Sequence, residues 1–306
     1  MALFIAYQGF DLTQLSAWYG DSPIANEHHI RIANGPYEQN YYGTFLYYNG
    51  GLAGGTVTNT DFLVNGVRQF SIEGLQLPAL TAEYYLDSGN IQGLLSQVFA
   101  GNDVFSGSAG NDTFKMSGGN DHYLGGAGID CLVLDGSKSV YNILHTADGF
   151  QLRHGYTGAT DDLVSIERLS FSDGAVALDL DGNAGKAYRL YQAALDRKPD
   201  AGGLGYWIAQ LDRGLAATEA ANGFIASNEF AQRYGGADSN EAFLNLLYQN
   251  VLDRDADSGG LQYWLANMAT GMRRDEILLG FSESDENRIA VSGAIDHGIE
   301  YVAHWL

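Results

Sequence analysis

The stretch GNDVFSGSAGNDTFKMSGGNDHYLGGAGIDCLV, residues 101–133, carries the clearest order in the chain. Asp103, Asp112, Asp121 and Asp130 recur every nine residues, and Gly101, Gly110, Gly119 and Gly128 stand two places before them. Phe105, Phe114, Tyr123 and Leu132 stand two places after. Three aligned columns over four repeats predict a nonapeptide solenoid: a short strand and a tight turn per unit, with one apolar residue facing a narrow core. The glycines, Gly107, Gly125 and Gly126 among them, permit positive φ and leave turn carbonyls free to face the gap between stacked turns. A carboxylate in each turn beside those carbonyls makes an all-oxygen cage, which suits a hard cation at roughly 2.4 Å, hence Ca²⁺. These glycines and aspartates are the expected metal-ligating set. Without the cation the stacked carboxylates repel, so the segment is expected to order only on binding.

The rest of the composition agrees with a cation partner. Among 306 residues, 37 acidic side chains outnumber 16 basic ones, a net charge of −21 that argues against nucleic acid or an anionic membrane. Forty glycines indicate many turns, and the single cysteine, Cys131, excludes a disulfide framework or a cysteine-based zinc cluster. Cys131 follows Asp130 in the repeat and is expected to point outward. No apolar run approaches the roughly 18 residues of a membrane span, so membrane insertion is not expected. The start, MALFIAYQGFDLTQ, has neither the basic region nor the cleavage site of a secretory signal.

The repeat resembles the RTX family, the glycine-rich Ca²⁺-binding β-rolls of type I secreted proteins of Gram-negative bacteria, whose pattern is GGxGxD followed by x-apolar-x. GGAGID (Gly125 to Asp130) keeps every position, whereas GSAGND (ending at Asp112) lacks the second Gly, and MSGGND and VFAGND (ending at Asp121 and Asp103) lack both of the first two. The resemblance implies sites joining turns eighteen residues apart, Asp103 with Asp121 and Asp112 with Asp130, and so about two Ca²⁺ sites. It also implies export by a type I route, with the roll folding outside the cell.

On either side of the repeat the patterning changes. Residues 1–75 alternate as strands, with Asn49-Gly50 and Asn65-Gly66 as hairpin turns; residues 76–100 predict one or two short helices, with Pro78 in a first turn. Residues 134–180 predict antiparallel strands with turns at Asp148-Gly149 and Asp173-Gly174, a cap for the open end of the solenoid. Across the first of these hairpins His145 and His154 are expected to face one another.

A second repeat, offset by 57 residues, follows. LYQAALDRKPDAGGLGYWIAQLDRG (Leu190 to Gly214) matches LYQNVLDRDADSGGLQYWLANMATG (Leu247 to Gly271), each predicting helix, Asp/Gly turn and helix. Trp207, Trp264, Tyr206 and Tyr263 are expected as core aromatics. DRDADSGG is not an EF-hand: Ser258 stands where the loop needs Gly and Trp264 where it needs Glu, so Asp200 and Asp257 are expected as N-caps. The unit resembles a bacterial domain of unknown function often found at the C-terminal end of RTX and surface-layer proteins.

The fold class expected is multidomain α+β. A β-rich N-terminal domain spans residues 1–100, a short parallel β-roll 101–133, an antiparallel cap 134–185 and an all-α tandem repeat 186–306. H-E-x-x-H, G-x-S-x-G and phosphate-binding glycine loops are absent from the sequence, and no catalytic residue is expected. The function expected is a secreted, Ca²⁺-binding structural protein whose partner is itself, as a surface-layer, matrix or filament subunit. The alternative is an adhesin or glycan-binding module whose ligand meets the Tyr-rich N-terminal face. An enzyme within residues 1–100 is the third.

Overall fold

The computed structural model describes residues 1–235 and 237–303; the end of the last segment, residues 304–306, lies outside the described residues. The chain is mixed α and β, β-rich toward the N-terminus and helical toward the C-terminus, and it divides into two compact units, Met1–Asp173 and Gly174–Leu306. Residues 1–100, 101–133 and the strands up to Phe171, expected as separate segments, sit within the first unit.

In the first unit the strands are β1 (Leu3–Ala6), β2 (Asp21–Ala25), β3 (His29–Asn34), β4 (Tyr37–Tyr48), β5 (Gly51–Val64), β6 (Val67–Glu73) and β7 (Leu77–Pro78). After α1 (Ala79–Asp87) and α2 (Ile91–Val98) come β8 (Val104–Ser106), β9 (Thr113–Lys115), β10 (His122–Leu124) and β11 (Cys131–Val133). The strands β12 (Tyr141–Thr146), β13 (Gly149–His154), β14 (Thr160–Val164) and β15 (Arg168–Phe171) complete it. The Asn-Gly pairs turn the chain where expected: Asn49 and Gly50 join β4 to β5, and Asn65 and Gly66 join β5 to β6, all four at positive φ. Pro78 is the N-cap of α1.

The nine-residue units alternate between two sheets. β8 and β10 pair in parallel, as do β9 and β11, so Phe105 lies beside Tyr123 and Phe114 beside Leu132, eighteen residues apart. Both stacks extend beyond the repeat. At one end β1 pairs in parallel with β8, placing Phe4 beside Phe105, and Asp11 bridges in parallel to Thr113. The first dozen residues thus form a layer of the stack, and β1 also pairs antiparallel with β6, so one sheet runs from β12 through β10, β8 and β1 to β2.

The other end corrects the expected antiparallel cap. β14 pairs in parallel with β10, and β15 with β11, while β12 with β13 and β13 with β14 pair antiparallel as expected. The reason lies in Leu163 and Leu169, which occupy the same inward column as Tyr123 and Leu132 and are as fully buried. The hairpin also differs in register. Ala147 and Asp148 form its loop while Gly149 already pairs with Thr146; His145 lies opposite Phe150 and His154 opposite Tyr141, so the two histidines do not face one another. Likewise Ser172 and Asp173 form the next turn.

In the second unit, β16 (Gly174–Ala177) and β17 (Ile299–Tyr301) pair antiparallel, and eight helices lie between them in the chain among the described residues. These are α3 (Asn183–Leu195), α4 (Ala201–Asp212), α5 (Ala217–Ile225), α6 (Asn228–Tyr234), α7 (Asn240–Leu252), α8 (Ser258–Ala269), α9 (Arg274–Ser282) and α10 (Asp285–Ile295). The 57-residue offset is kept in the boundaries of α3 to α5 against α7 to α9, and in local chemistry. Asp196 and Asp253 end α3 and α7 in the left-handed region, and Asp200 and Asp257 cap α4 and α8 by accepting from Gly203 and Gly260 N–H. Arg197 lies over Tyr191 and pairs with Glu229; Arg254 lies over Tyr248 and pairs with Glu286. Trp207 and Trp264 stack on Phe224 and Phe281 at the core margin. Tyr206 and Tyr263 are half or more exposed, which corrects their expected core role: they sit one residue before each tryptophan, on the helix face turned to solvent.

Candidate functional site

The repeat aspartates sit at the entry to each short strand, where the stacked backbone leaves an amide without a strand partner. Each carboxylate is spent on that amide in the neighbouring layer. On one side, Ala2 N–H donates to Asp103 Oδ1, Asp103 N–H to Asp121 Oδ1 at 2.8 Å, and Asp121 N–H to Asp161 Oδ1 at 2.8 Å. On the other, Phe10 N–H donates to Asp112 Oδ1 at 2.8 Å, Asp112 N–H to Asp130 Oδ1 at 2.7 Å, and Asp130 N–H to Glu167 Oε2 at 2.8 Å. The expected pairs, Asp103 with Asp121 and Asp112 with Asp130, are therefore neighbours. A parallel asparagine ladder runs outside them: Asn102 and Asn111 Oδ1 accept from Asn120 and Ile129 N–H, and Asn120 Oδ1 from Thr160 N–H.

Two acidic residues of these ladders, Asp161 and Glu167, lay outside the expected set. The signal for them was present: each is followed two places on by an inward leucine, as every repeat aspartate is by an inward apolar residue, but the β12–β13 hairpin breaks the interval of nine.

The second carboxylate oxygens divide into two classes. Asp112 Oδ2 accepts from Ser108 N–H at 2.6 Å and from the Ser108 hydroxyl at 2.9 Å; Asp121 Oδ2 accepts from the Ser117 hydroxyl at 2.6 Å. Asp103, Asp130 and Asp161 each bury Oδ2 with no hydrogen-bond partner. Sequence explains the division. Serine fills the second position of the turns ending at Asp112 and Asp121, whereas Phe99 and Gly126 fill it in those ending at Asp103 and Asp130. Burial dominates the electrostatics: it pushes the Asp130 and Asp161 carboxyls up to about 7, and raises Asp121, against the lowering pull of the amides they hold.

The glycines act differently from the expectation. Positive φ is found at Gly119, Gly126 and Gly128 only among the seven singled out. At Gly107 and Gly119 the decisive feature is contact between layers, because a Cβ there would collide with the carbonyls of Gly125 and Gly101. Those carbonyls lie against the adjoining turn rather than in an open gap. Cys131 is also corrected: it is buried, with Thr113 and Arg168 beside it on the neighbouring strands, and burial pushes its thiol up to about 12.

The fit to a cation can be tested on these atoms. Unpartnered, buried carboxylate oxygens are hard donors of the type Ca²⁺ takes. Among the described residues no three His, Cys, Asp or Glu side chains converge on a metal position, so backbone carbonyls would have to complete any shell. The donor type fits.

The helical part of the chain matches a family model described as Domain of unknown function (DUF4214), over residues 186–229 and 221–290, following the tandem repeat. This domain is found in the C-terminal region of some secreted proteins. No curated protein sequence matches the chain.

Proposed function

We propose that residues 101–133, extended by Asp161 and Glu167, form a calcium-stapled β-roll in a secreted structural protein that assembles outside the cell, as a surface-layer, matrix or filament subunit. The observation that carries this reading is the set of buried carboxylate oxygens at Asp103, Asp130 and Asp161 that no group among the described residues satisfies. An unpaired buried charge of this kind is costly, and the chain's net charge of −21 adds to the cost. Bound Ca²⁺ supplies the missing positive charge and ties adjacent layers together. The protein's own contribution is the rest: Oδ1 atoms hold the layer spacing, glycines admit the close approach, and Phe105, Phe114, Tyr123 and Leu132 fill the core.

Cytosolic free calcium is low, so the roll gains the calcium-linked part of its stability only after export. The DUF4214 match supports a secreted setting, since that domain occurs in some secreted proteins. Self-association draws support from exposed Tyr42, Leu46, Tyr47 and Tyr48 around the β4–β5 turn. The same tyrosines favour the second reading, an adhesin for a glycan. Circular dichroism and sedimentation of the full chain in chelator and in millimolar Ca²⁺ test the proposal. Strand signal and mass should both rise with Ca²⁺; unchanged spectra reject the calcium reading, and a Ca²⁺-folded monomer at every concentration rejects assembly and leaves the adhesin.

A further inference from the structure

A cavity of about 720 Å³ lies within the first unit, between one face of β3, β4 and β5, the helices α1 and α2, and residues 15–20. Alternate positions of β4 line it with Tyr37, Gln39, Tyr41, Phe45 and Tyr47, which is the period of a strand presenting one face. Its size falls within the roughly 300–1,000 Å³ of small-molecule sites. None of the repeat aspartates lines it.

The lining has a definite chemistry. It contains no Lys, Arg or His among the described residues, and its charged members, Glu83 and Asp87, are exposed and therefore belong to its mouth. An anionic head group would meet two carboxylates and no cation. Two uncharged polar groups sit among the apolar ones. Gln39 Nε2 donates to Thr60 Oγ1 at 2.6 Å and to the Asp61 carbonyl at 3.0 Å, which uses both amide hydrogens and leaves Oε1 as an acceptor. The Tyr41 hydroxyl has no hydrogen-bond partner among the described residues, and burial raises its pKa. A donor from Tyr41 and an acceptor from Gln39, two residues apart on one strand face, match a group that both accepts and donates. A hydroxyl is such a group.

We infer that this cavity binds an uncharged apolar alcohol, long-chain or polycyclic, with its hydrocarbon against Trp18, Phe45 and Leu94 and its hydroxyl at Tyr41 and Gln39. The inference is independent of the calcium reading. The acidic mouth also disfavours a second copy of a chain carrying −21 as occupant.

The test is fluorescence of the neutral apolar probe N-phenyl-1-naphthylamine with the full chain in millimolar Ca²⁺. Binding should saturate at one probe per chain, and decan-1-ol should displace it while decanoate at equal concentration does not. Tyr41→Phe keeps the ring, so probe binding should be unchanged while decan-1-ol weakens about fivefold, the worth of one neutral hydrogen bond. Leu94→Trp should fill the space and lower probe affinity with the circular dichroism spectrum unchanged. No saturable binding, equal displacement by decanoate, or a decan-1-ol affinity indifferent to Tyr41→Phe overturns the inference. Probe binding that disappears as the chain dimerises also overturns it, in favour of a second copy as the occupant.

Discussion

Phe4, Phe105, Tyr123 and Leu163 on one stack, and Leu12, Phe114, Leu132 and Leu169 on the other, are all at or below 2% exposed. A few strands away, Ile30, Ile32, Tyr41, Leu52 and Phe62 on the sheet, with Leu86, Ile91, Leu94 and Leu95 on the helices facing it, are all only partly buried, and α2 buries none of its residues. The first of the two stacks shares a sheet with that face, joined to it through β1. Their compositions are equally apolar, so hydrophobicity does not separate them; packing does. Close-packed interiors leave few voids larger than a water molecule, and the narrow stack meets that standard while the N-terminal face leaves a cavity. The filled region is a core that holds a fold, and the unfilled one is a place to put something else.

Truncation should expose the difference most strongly. Phe114→Ala should cost about 3–5 kcal/mol in urea unfolding, the usual range for a fully buried aromatic. Leu94→Ala, which already faces open space, should cost about 1 kcal/mol or less, because it removes contacts on one side only. Equal costs for the two would break the contrast.

How much of this was legible in sequence follows the same division. The stack was readable because each layer repeats one requirement, an inward apolar residue two places after an acid, and repetition makes the requirement visible. Of the layers that sequence reading missed, those at Asp161 and Glu167 satisfy it without the interval of nine, while those at Phe4 and Leu12 keep the inward apolar residue but have Ala2 and Phe10 in place of the acid. Asn49-Gly50 and Asn65-Gly66 were legible because a two-residue turn needs positive φ at both positions. The helical repeat declared itself by its 57-residue offset, down to the N-caps at Asp200 and Asp257. The cavity was not legible: alternation predicts which side of β4 is apolar, but whether another element fills that side is a matter of tertiary distance. The same limit hid the burial of Cys131, whose neighbours Thr113 and Arg168 are distant in sequence.

Calcium should separate the regions next. For sites with dissociation constants of about 10⁻⁴–10⁻³ M, 10 mM Ca²⁺ stabilises by about 1.4–2.7 kcal/mol per site. Asp130→Asn can still accept from Asp112 N–H but carries no charge. It should lose most of the Ca²⁺-dependent gain at its layer while unfolding at equal or higher urea in chelator at pH 8. Leu94→Ala should keep the full gain. A variant Asp130→Asn that responds to Ca²⁺ as the parent does would remove that residue from the site.

The pH response in chelator has a defined sign. Asp130 and Asp161 titrate near 7 in the folded chain, above the ordinary carboxylate value of 3.8. The folded state thus holds protons that the unfolded state has released, and stability falls as pH rises between about 4 and 7. Hydrogen exchange at β10, β11, β14 and β15 should quicken across that interval in chelator. Exchange in α1 and α2, whose surroundings contain no such carboxyls, should change less. A flat profile in the stack would mean that these carboxyls are not strained by burial.

The smallest expected effect sharpens the comparison within the stack itself. The Ser117 hydroxyl satisfies Asp121 Oδ2 at 2.6 Å, as Ser108 satisfies Asp112, whereas the Oδ2 atoms of Asp103, Asp130 and Asp161 have no hydrogen-bond partner among the described residues. Ser117→Ala removes that hydroxyl and keeps the Cβ, which avoids adding the backbone freedom of glycine. In chelator it should cost about 1 kcal/mol, the net value of one side-chain hydrogen bond, because Tyr123 O–H at 3.4 Å is too long to replace it. In 10 mM Ca²⁺ the deficit should shrink, since the freed oxygen joins the unsatisfied class and gives the cation a further donor. A deficit of the same size in both conditions, read from paired urea titrations, would show that serine and cation do not compete for the carboxylate. The layers would then differ in hydrogen bonding but not in their need for calcium.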